Sequence, residues 1–291
     1  AIYTNLSHDH LDYHGSMDAY GRAKLRLFAL DDLAHALVNL DDEFAPQVMA
    51  VVPRHANLVT YSTRGAAADV RVENPRFHSG GVRAQFFSPW GEGEFDSPLP
   101  GDFNLANLAA AISALVLAGE DLAAVLAAVA RLTPVPGRMQ FIPNTLGLQV
   151  IVDYAHTPDA LQQVLGALRP HVEGALVTVF GCGGDRDREK RQLMGRVACE
   201  LSDRVVITSD NPRGETPADI MDDIETGCSG DYLCLEDRAA AIAHAIGEAR
   251  PGDCVLIAGK GHEEYQLIEG RREYFSDAAQ ARARLDERAR S

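Results

Sequence analysis

Apolar positions change their spacing at one place in the chain, and the change divides it. Beyond residue 147, short unbroken apolar runs alternate with stretches of helical spacing. The runs predict strands at 148–153, 175–180, 204–208, 231–235 and 253–258. The stretches between them predict helices at 158–168, 189–201, 217–227 and 238–249. Continuous apolar strands separated by helices mark a mostly parallel sheet covered on both faces, a Rossmann-like α/β unit. A hairpin over 265–275 turns at Glu269-Gly270, and Ser276 caps a last helix whose basic end suits its dipole.

The earlier half is less regular. Ala1-Ile2-Tyr3-Thr4-Asn5 reads as a strand already under way, and the expectation is a chain that lacks an N-terminal segment. Ser16 caps a helix over 17–30, with Tyr20, Ala23, Leu27 and Leu30 on one stripe. A strand at 36–40, a helix at 41–51 and a strand at 58–61 follow. From 69 to 99 the pattern alternates, with turns at Gly80-Gly81 and Gly91, and Pro100-Gly101 ends this antiparallel excursion. Helices are expected at 101–119 and 121–132. Thr133-Pro134-Val135-Pro136-Gly137-Arg138 then breaks the pattern, so the domains are expected at 1–136 and 137–291.

Polar residues gather where the predicted parallel strands end, which is where open α/β sheets bind ligands. The first strand runs into Asp153-Tyr154-Ala155-His156-Thr157-Pro158, and the second into Gly181-Cys182-Gly183-Gly184-Asp185-Arg186-Asp187. The third runs into Ser209-Asp210-Asn211-Pro212-Arg213-Gly214-Glu215-Thr216-Pro217, with a helix opening at Thr216. The fifth runs into Gly259-Lys260-Gly261-His262-Glu263. Turn chemistry would explain any one of these loops, but it is a weak account of four at one edge. An acid, an amide and a guanidinium beside Pro212 can read a molecule that carries both an ammonium and a carboxylate. The glycine loop lacks the dinucleotide register and reads as exposed backbone for a carboxylate or phosphate.

In the first half, His8, Asp9, His10, Asp12 and His14 form a dense set of metal-ligand types, or else a polar loop. Lys24 lies one turn before Phe28, where a lysine usually snorkels. Asn104 and Asn107 sit on a helix's first turn, whose free N–H groups can meet an anion or a base edge.

Composition narrows the class. The 291 residues suffice for about two domains at roughly 150 residues each. A hydrophobic fraction of 46% is that of a globular protein, and no run approaches the ~18 apolar residues of a membrane span. A formal charge of −15 argues against nucleic acid and anionic membrane as partners. Five cysteines without a Cys-x-x-Cys pair fit a reducing, cytoplasmic setting.

Together these motifs resemble the Mur ligases, the ATP-dependent amino-acid-adding enzymes of peptidoglycan synthesis. The resemblance spans the chain. It rests on Thr4 to Gly15, Ala23-Lys24, Asn104 to Asn107, Pro136-Gly137-Arg138-Met139, Val152 to Pro158, Gly181 to Arg186, Asp210 to Arg213 and Gly259 to Glu263. It implies a partial central ATPase domain followed by a Rossmann-like C-terminal domain. The closest branch joins meso-diaminopimelate to UDP-N-acetylmuramoyl-L-alanyl-D-glutamate through an acyl phosphate, with ATP and Mg²⁺. By this resemblance His10 is a Mg²⁺ ligand and Lys24 is carbamylated, a carbamate being an oxygen ligand where an ammonium would be repelled. Asn107 meets adenine, Arg138 and Asp153 meet phosphate and ribose, and His156 lies beside them. Arg186, Asp210, Asn211, Pro212, Arg213, Gly259 and Glu263 form the diaminopimelate pocket, Arg213 holding the distal carboxylate and Glu263 an ammonium. The family's phosphate-binding loop and UDP-sugar domain find no counterpart in the sequence, which implies that the chain alone does not ligate. The alternatives are a lysine-adding or folylpolyglutamate-type ligase, and a non-catalytic amino-acid-binding module.

Overall fold

A computed structural model of the chain describes residues 1–78, 81–99 and 101–290, with the backbone alone at Asp12 and His78. The expected turn at Gly80 and the stop at Pro100 lie outside the described residues. The chain divides into two compact units, Ala1–Thr133 and Pro134–Ser291.

The first unit is a six-stranded sheet in sequential order. Strands β1 (Ile2–Tyr3), β2 (His35–Asn39), β3 (Asn57–Ser62) and β4 (Val70–His78) are parallel. Strands β5 (Gly81–Ser88) and β6 (Gly91–Ser97) continue it antiparallel, as the alternating pattern requires. Helices α1 (Leu11–His14), α2 (Met17–Phe28) and α3 (Ala45–Val51) lie between the early strands in sequence. Helices α4 (Asp102–Leu117) and α5 (Leu122–Val129) close the unit, and Leu105, Leu108, Ile112 and Leu126 pack with Tyr61, Val70, Val82 and Phe86.

Two expectations change here. The helix predicted over 41–51 starts only at Ala45, because its first residues are used otherwise. Asp42 accepts from the N–H groups of Leu6 and Phe44 and from the Tyr3 hydroxyl, while Asp41 accepts from Ser62 and Thr63. Side chains of this type compete with the helix for backbone donors. The helix expected over 17–30 stops at Phe28, with Ser16 capping it through the N–H of Ala19.

The second unit holds β7 (Gln140–Phe141), β8 (Gln149–Asp153), β9 (Leu176–Phe180), β10 (Arg204–Ile207), β11 (Tyr232–Cys234) and β12 (Cys254–Ala258). Their order is β11-β10-β9-β12-β8-β7, parallel except for the two-residue edge strand β7, which is too short to carry a period. Helices α6 (Pro158–Leu168), α7 (Glu189–Leu201) and α8 (Pro217–Glu225) pack in sequence, and α9 (Arg238–Glu248) packs on α10 (Asp277–Arg288). Val150, Val152, Val177, Val179, Val255 and Ile257 share a core with Ala241, Ile242 and Ile246 of α9 and with Ala281 and Leu285 of α10. Alternation turns Leu176, Phe180 and Leu256, equally buried, to the opposite face. The hairpin of β13 (Tyr265–Ile268) and β14 (Arg271–Tyr274) leads into α10, which Ser276 caps.

Strand β12 lies between β8 and β9, so the loops after β8, β9, β10 and β12 leave one edge of the sheet. A buried ion pair sits beneath that edge. Arg238 grips both oxygens of Asp277 at 2.7 Å and also donates to the carbonyls of Ala258 and Ser209. Removing one partner strands a charge away from water. Asp277→Ala is therefore expected to cost about 3–5 kcal/mol in urea unfolding, and the Arg238→Met/Asp277→Leu double variant markedly less. A double variant as unstable as the single one would show that shape, not charge, governs the site.

Candidate functional site

Close backbone approach joins the loops after β9 and β10. A Cβ on Gly181 would lie 2.1 Å from the Thr208 carbonyl oxygen, and one on Gly184 would lie 1.9 Å from that of Pro212. The N–H of Gly184 donates to the carbonyl of Asn211. The glycine loop, expected to expose its backbone to an anion, thus spends much of it on its neighbour. Asp185 and Glu215 complete the seam. The Asp185 carboxylate accepts from the Gly214 N–H at 3.0 Å, and Glu215 accepts from the Asp185 N–H at 2.6 Å. Glu215 is also gripped by the fully buried Arg191 and by Arg188. Its carboxyl is held down at about 2 from the ordinary 4.5, chiefly by the Arg191 hydrogen bonds.

Arg213 takes a left-handed conformation, with φ of 55°. The hairpin holds it there. The N–H of Arg213 donates to Leu267, and that of Glu269 donates back to the Arg213 carbonyl. One guanidinium nitrogen, Nη1, donates to the carbonyls of Gly184 and Asn211. Thr216, where the helix is expected to open, precedes α8 without making a side-chain cap bond, and Pro217 is its first residue.

Beside Arg213 the chain gathers a buried polar cluster. The Asn211 amide donates to Glu263 at 3.0 Å, and its oxygen accepts from Lys260 Nζ and from the Leu267 N–H, each at 2.9 Å. Lys260 is fully buried, donates to the Tyr265 carbonyl, and lies 3.7 Å from Asp210 and 3.9 Å from Glu263. Gly259 has φ of 116°, and a Cβ there would meet Asp210 at 2.7 Å. Asp210, Asn211, Pro212, Arg213, Gly259 and Glu263 thus come together, while Arg186 is exposed on the adjoining loop.

A second group forms around Tyr154. The Arg138 guanidinium lies 4.4 Å from the ring centre, and the rings of His156 and His262 lie 4.6 and 5.5 Å away. Asp153 is buried, with its carboxylate accepting from the N–H groups of Met139 and Ala155, and burial pushes its pKa up. It therefore holds the turn that carries Arg138. His156 accepts Lys190 Nζ at its carbonyl.

In the first unit, His10, His14 and Lys24 converge on Tyr20. The ring distances are 5.9 and 4.7 Å, and Lys24 Nζ lies 4.9 Å from the ring centre. Among the described residues, which leave out the Asp12 side chain, no group of three His, Cys, Asp or Glu could hold a metal ion. Asn107 donates to Asn104 on the first turn of α4.

Sequence reasoning passed over Lys260, Glu215 and Arg191. Lys260 stands inside a quoted motif, but nothing in its spacing tells a buried lysine from a solvated one. Arg191 and Glu215 are 24 residues apart and meet only in the fold.

Residues 1–115 match the Mur ligase middle domain, and residues 137–261 match the Mur ligase, glutamate ligase domain. A UDP-N-acetylmuramoyl-L-alanyl-D-glutamate–2,6-diaminopimelate ligase of Pseudomonas aeruginosa is 47% identical over 287 residues, covering 98% of this chain and 59% of that protein. The protein of that name from Synechococcus elongatus is 48% identical over 292 residues, covering 99% and 58%. This chain therefore spans about three fifths of the length of the curated relatives it matches. A solved structure of a ligase of that name superposes with a TM-score of 0.63 at 42% identity, over 100% of this chain and 60% of that one. MurF ligase from Thermotoga maritima in complex with ADP shares the fold, with a TM-score of 0.74 at 19% identity, over 99% and 62%.

The depressed Glu215 carboxyl stabilises the loop seam above the ordinary carboxylate range, and the effect fades as pH falls toward its folded value of about 2. The stability gap between wild type and Glu215→Gln is expected to be constant above about pH 5 and to close steadily below it. A gap that urea midpoints show to be independent of pH would remove Glu215's charge from this role.

Proposed function

The chain belongs to the Mur ligase family, and on that premise we propose that it serves in joining meso-2,6-diaminopimelate to UDP-N-acetylmuramoyl-L-alanyl-D-glutamate at the expense of ATP. The observation that carries the reading is the grouping of Arg213 with Asp210, Asn211 and Glu263 at one sheet edge. Diaminopimelate has an ammonium and a carboxylate at each end. Arg213 would take the distal carboxylate and Glu263, with Asp210, an ammonium, while Gly259 and Pro212 shape the wall and Arg186 stands at the rim.

The reaction has a charge problem. The carboxylate of the muramoyl dipeptide must attack the γ-phosphate, displacing ADP to form an acyl phosphate, whose carbonyl is then attacked by the diaminopimelate amine with loss of a proton and release of phosphate. This chain's part is to hold the amine in place and to meet the nucleotide. Arg138, backed by Tyr154 and carried on the turn that Asp153 fixes, would face phosphate. His156 lies beside it, and Asn107 would read the base. When bound, Mg²⁺ would neutralise phosphate charge. His10 and Lys24, the latter as its carbamate, would contribute ligands to it, and the described residues supply too few to hold it by themselves.

Calorimetry on the 291-residue chain tests amino-acid choice directly. Diaminopimelate is expected to bind more tightly than lysine, and Arg213→Ala to remove about 2–5 kcal/mol of diaminopimelate binding while leaving lysine nearly unaffected. Equal binding of the two amino acids, or an unaltered Arg213→Ala, would turn the assignment toward the lysine-adding branch.

A further inference from the structure

Lys260 is the unexpected member of the pocket. Its side chain is fully buried, and it is joined to no single carboxylate. Two of its N–H bonds go to the Asn211 oxygen and the Tyr265 carbonyl, at 2.9 and 2.7 Å. The Leu267 N–H meets the same Asn211 oxygen. A reversed Asn211 amide would set its NH₂ against both donors, so this pair decides which way the amide faces. The result is the Asn211 NH₂ turned toward Glu263 at 3.0 Å. Lys260 and Arg238 lie among the carboxylates of Asp210, Glu263 and Asp277.

We propose that Lys260 is a positioning residue of the amino-acid subsite: it orients the Asn211 amide toward Glu263. The proposal deepens the reading above and rests on it. The lysine acts through Asn211 and Glu263 and is not assigned a contact with the ligand.

A lysine kept only for packing would be replaced by methionine without effect on charge-dependent binding. The groups facing it are Asp210 from the loop after β10, Glu263 from its own loop, Arg238 of α9, Asp277 of α10 and the Tyr265 ring. Burial, opposed by Asp210 and Glu263, brings its pKa below the ordinary 10.5. As pH climbs, its charge is therefore lost earlier than that of an exposed lysine.

Calorimetric titration of meso-diaminopimelate into wild type, Lys260→Met and Lys260→Arg, from neutral pH to about pH 10, tests this. Lys260→Met is expected to bind roughly tenfold or more weakly at neutral pH. Lys260→Arg should recover most of that loss and move the alkaline fall in affinity to higher pH, because a guanidinium stays charged. Equal affinity and one shared pH profile in all three overturns the proposal. If Lys260→Met does not fold, as judged by circular dichroism, the comparison of wild type with Lys260→Arg decides, and coincident alkaline limbs count against it. A wild type that binds no diaminopimelate removes the underlying reading instead.

Discussion

Arg238 is buried, so its charge must be met by the groups packed around it. Asp277 answers with both oxygens, and the remaining donors reach Ser209 and Ala258, the points where the loops after β10 and β12 begin. One guanidinium therefore ties the start of α9, the start of α10 and two strand ends together. The residues of the polar cluster stand directly on these anchors: Asp210 and Asn211 follow Ser209, and Gly259 and Lys260 follow Ala258. Whatever the loops recognise, their spacing is set from below by this pair.

Above that base, two kinds of contact make the loops into a wall. Glycines allow backbones to touch where a Cβ would collide, at Gly181 and Gly184, and at Gly259 leave room for the Asp210 carboxylate. Charged hydrogen bonds then lock the touching pieces, through Glu215 with Arg191 on one side and Lys260 with Asn211 on the other. The hairpin contributes backbone partners to Arg213 and Asn211, which is why an arginine can rest at φ of 55°. A net charge of −15 is compatible with anion recognition on these terms, since the cations that matter are few and held in place.

Membership of the Mur ligase family supplies the chemical setting, and the proposed function places the choice of amino acid in the loops. An arginine held next to a pair of acids suits a ligand with carboxylate and ammonium at the same end, as diaminopimelate has and the lysine side chain lacks. The two units carry different parts of that setting. The Asp210–Arg213 cluster and the Arg138–Tyr154 group belong to the second unit, and the Tyr20 cluster and Asn107 to the first.

Much was legible in the chain before any coordinates. Helices at Pro158–Leu168 and Glu189–Leu201 follow from their apolar spacing alone, and the buried strands from their unbroken apolar runs. The motif residues of the four strand-end loops could be named because polar side chains crowd where the apolar pattern stops. Local pattern has a range of only a few residues, and everything beyond that range needed the fold. The insertion of β12 between β8 and β9, the shortening of α3 by Asp41 and Asp42, and the pairing of Arg191 with Glu215 all join distant positions. Lys260 makes the distinction clearest: the sequence determined that a lysine stands in a glycine-flanked loop after a strand. Only tertiary structure decided that it is buried, because burial depends on what the rest of the chain packs around a residue and not on its neighbours in sequence.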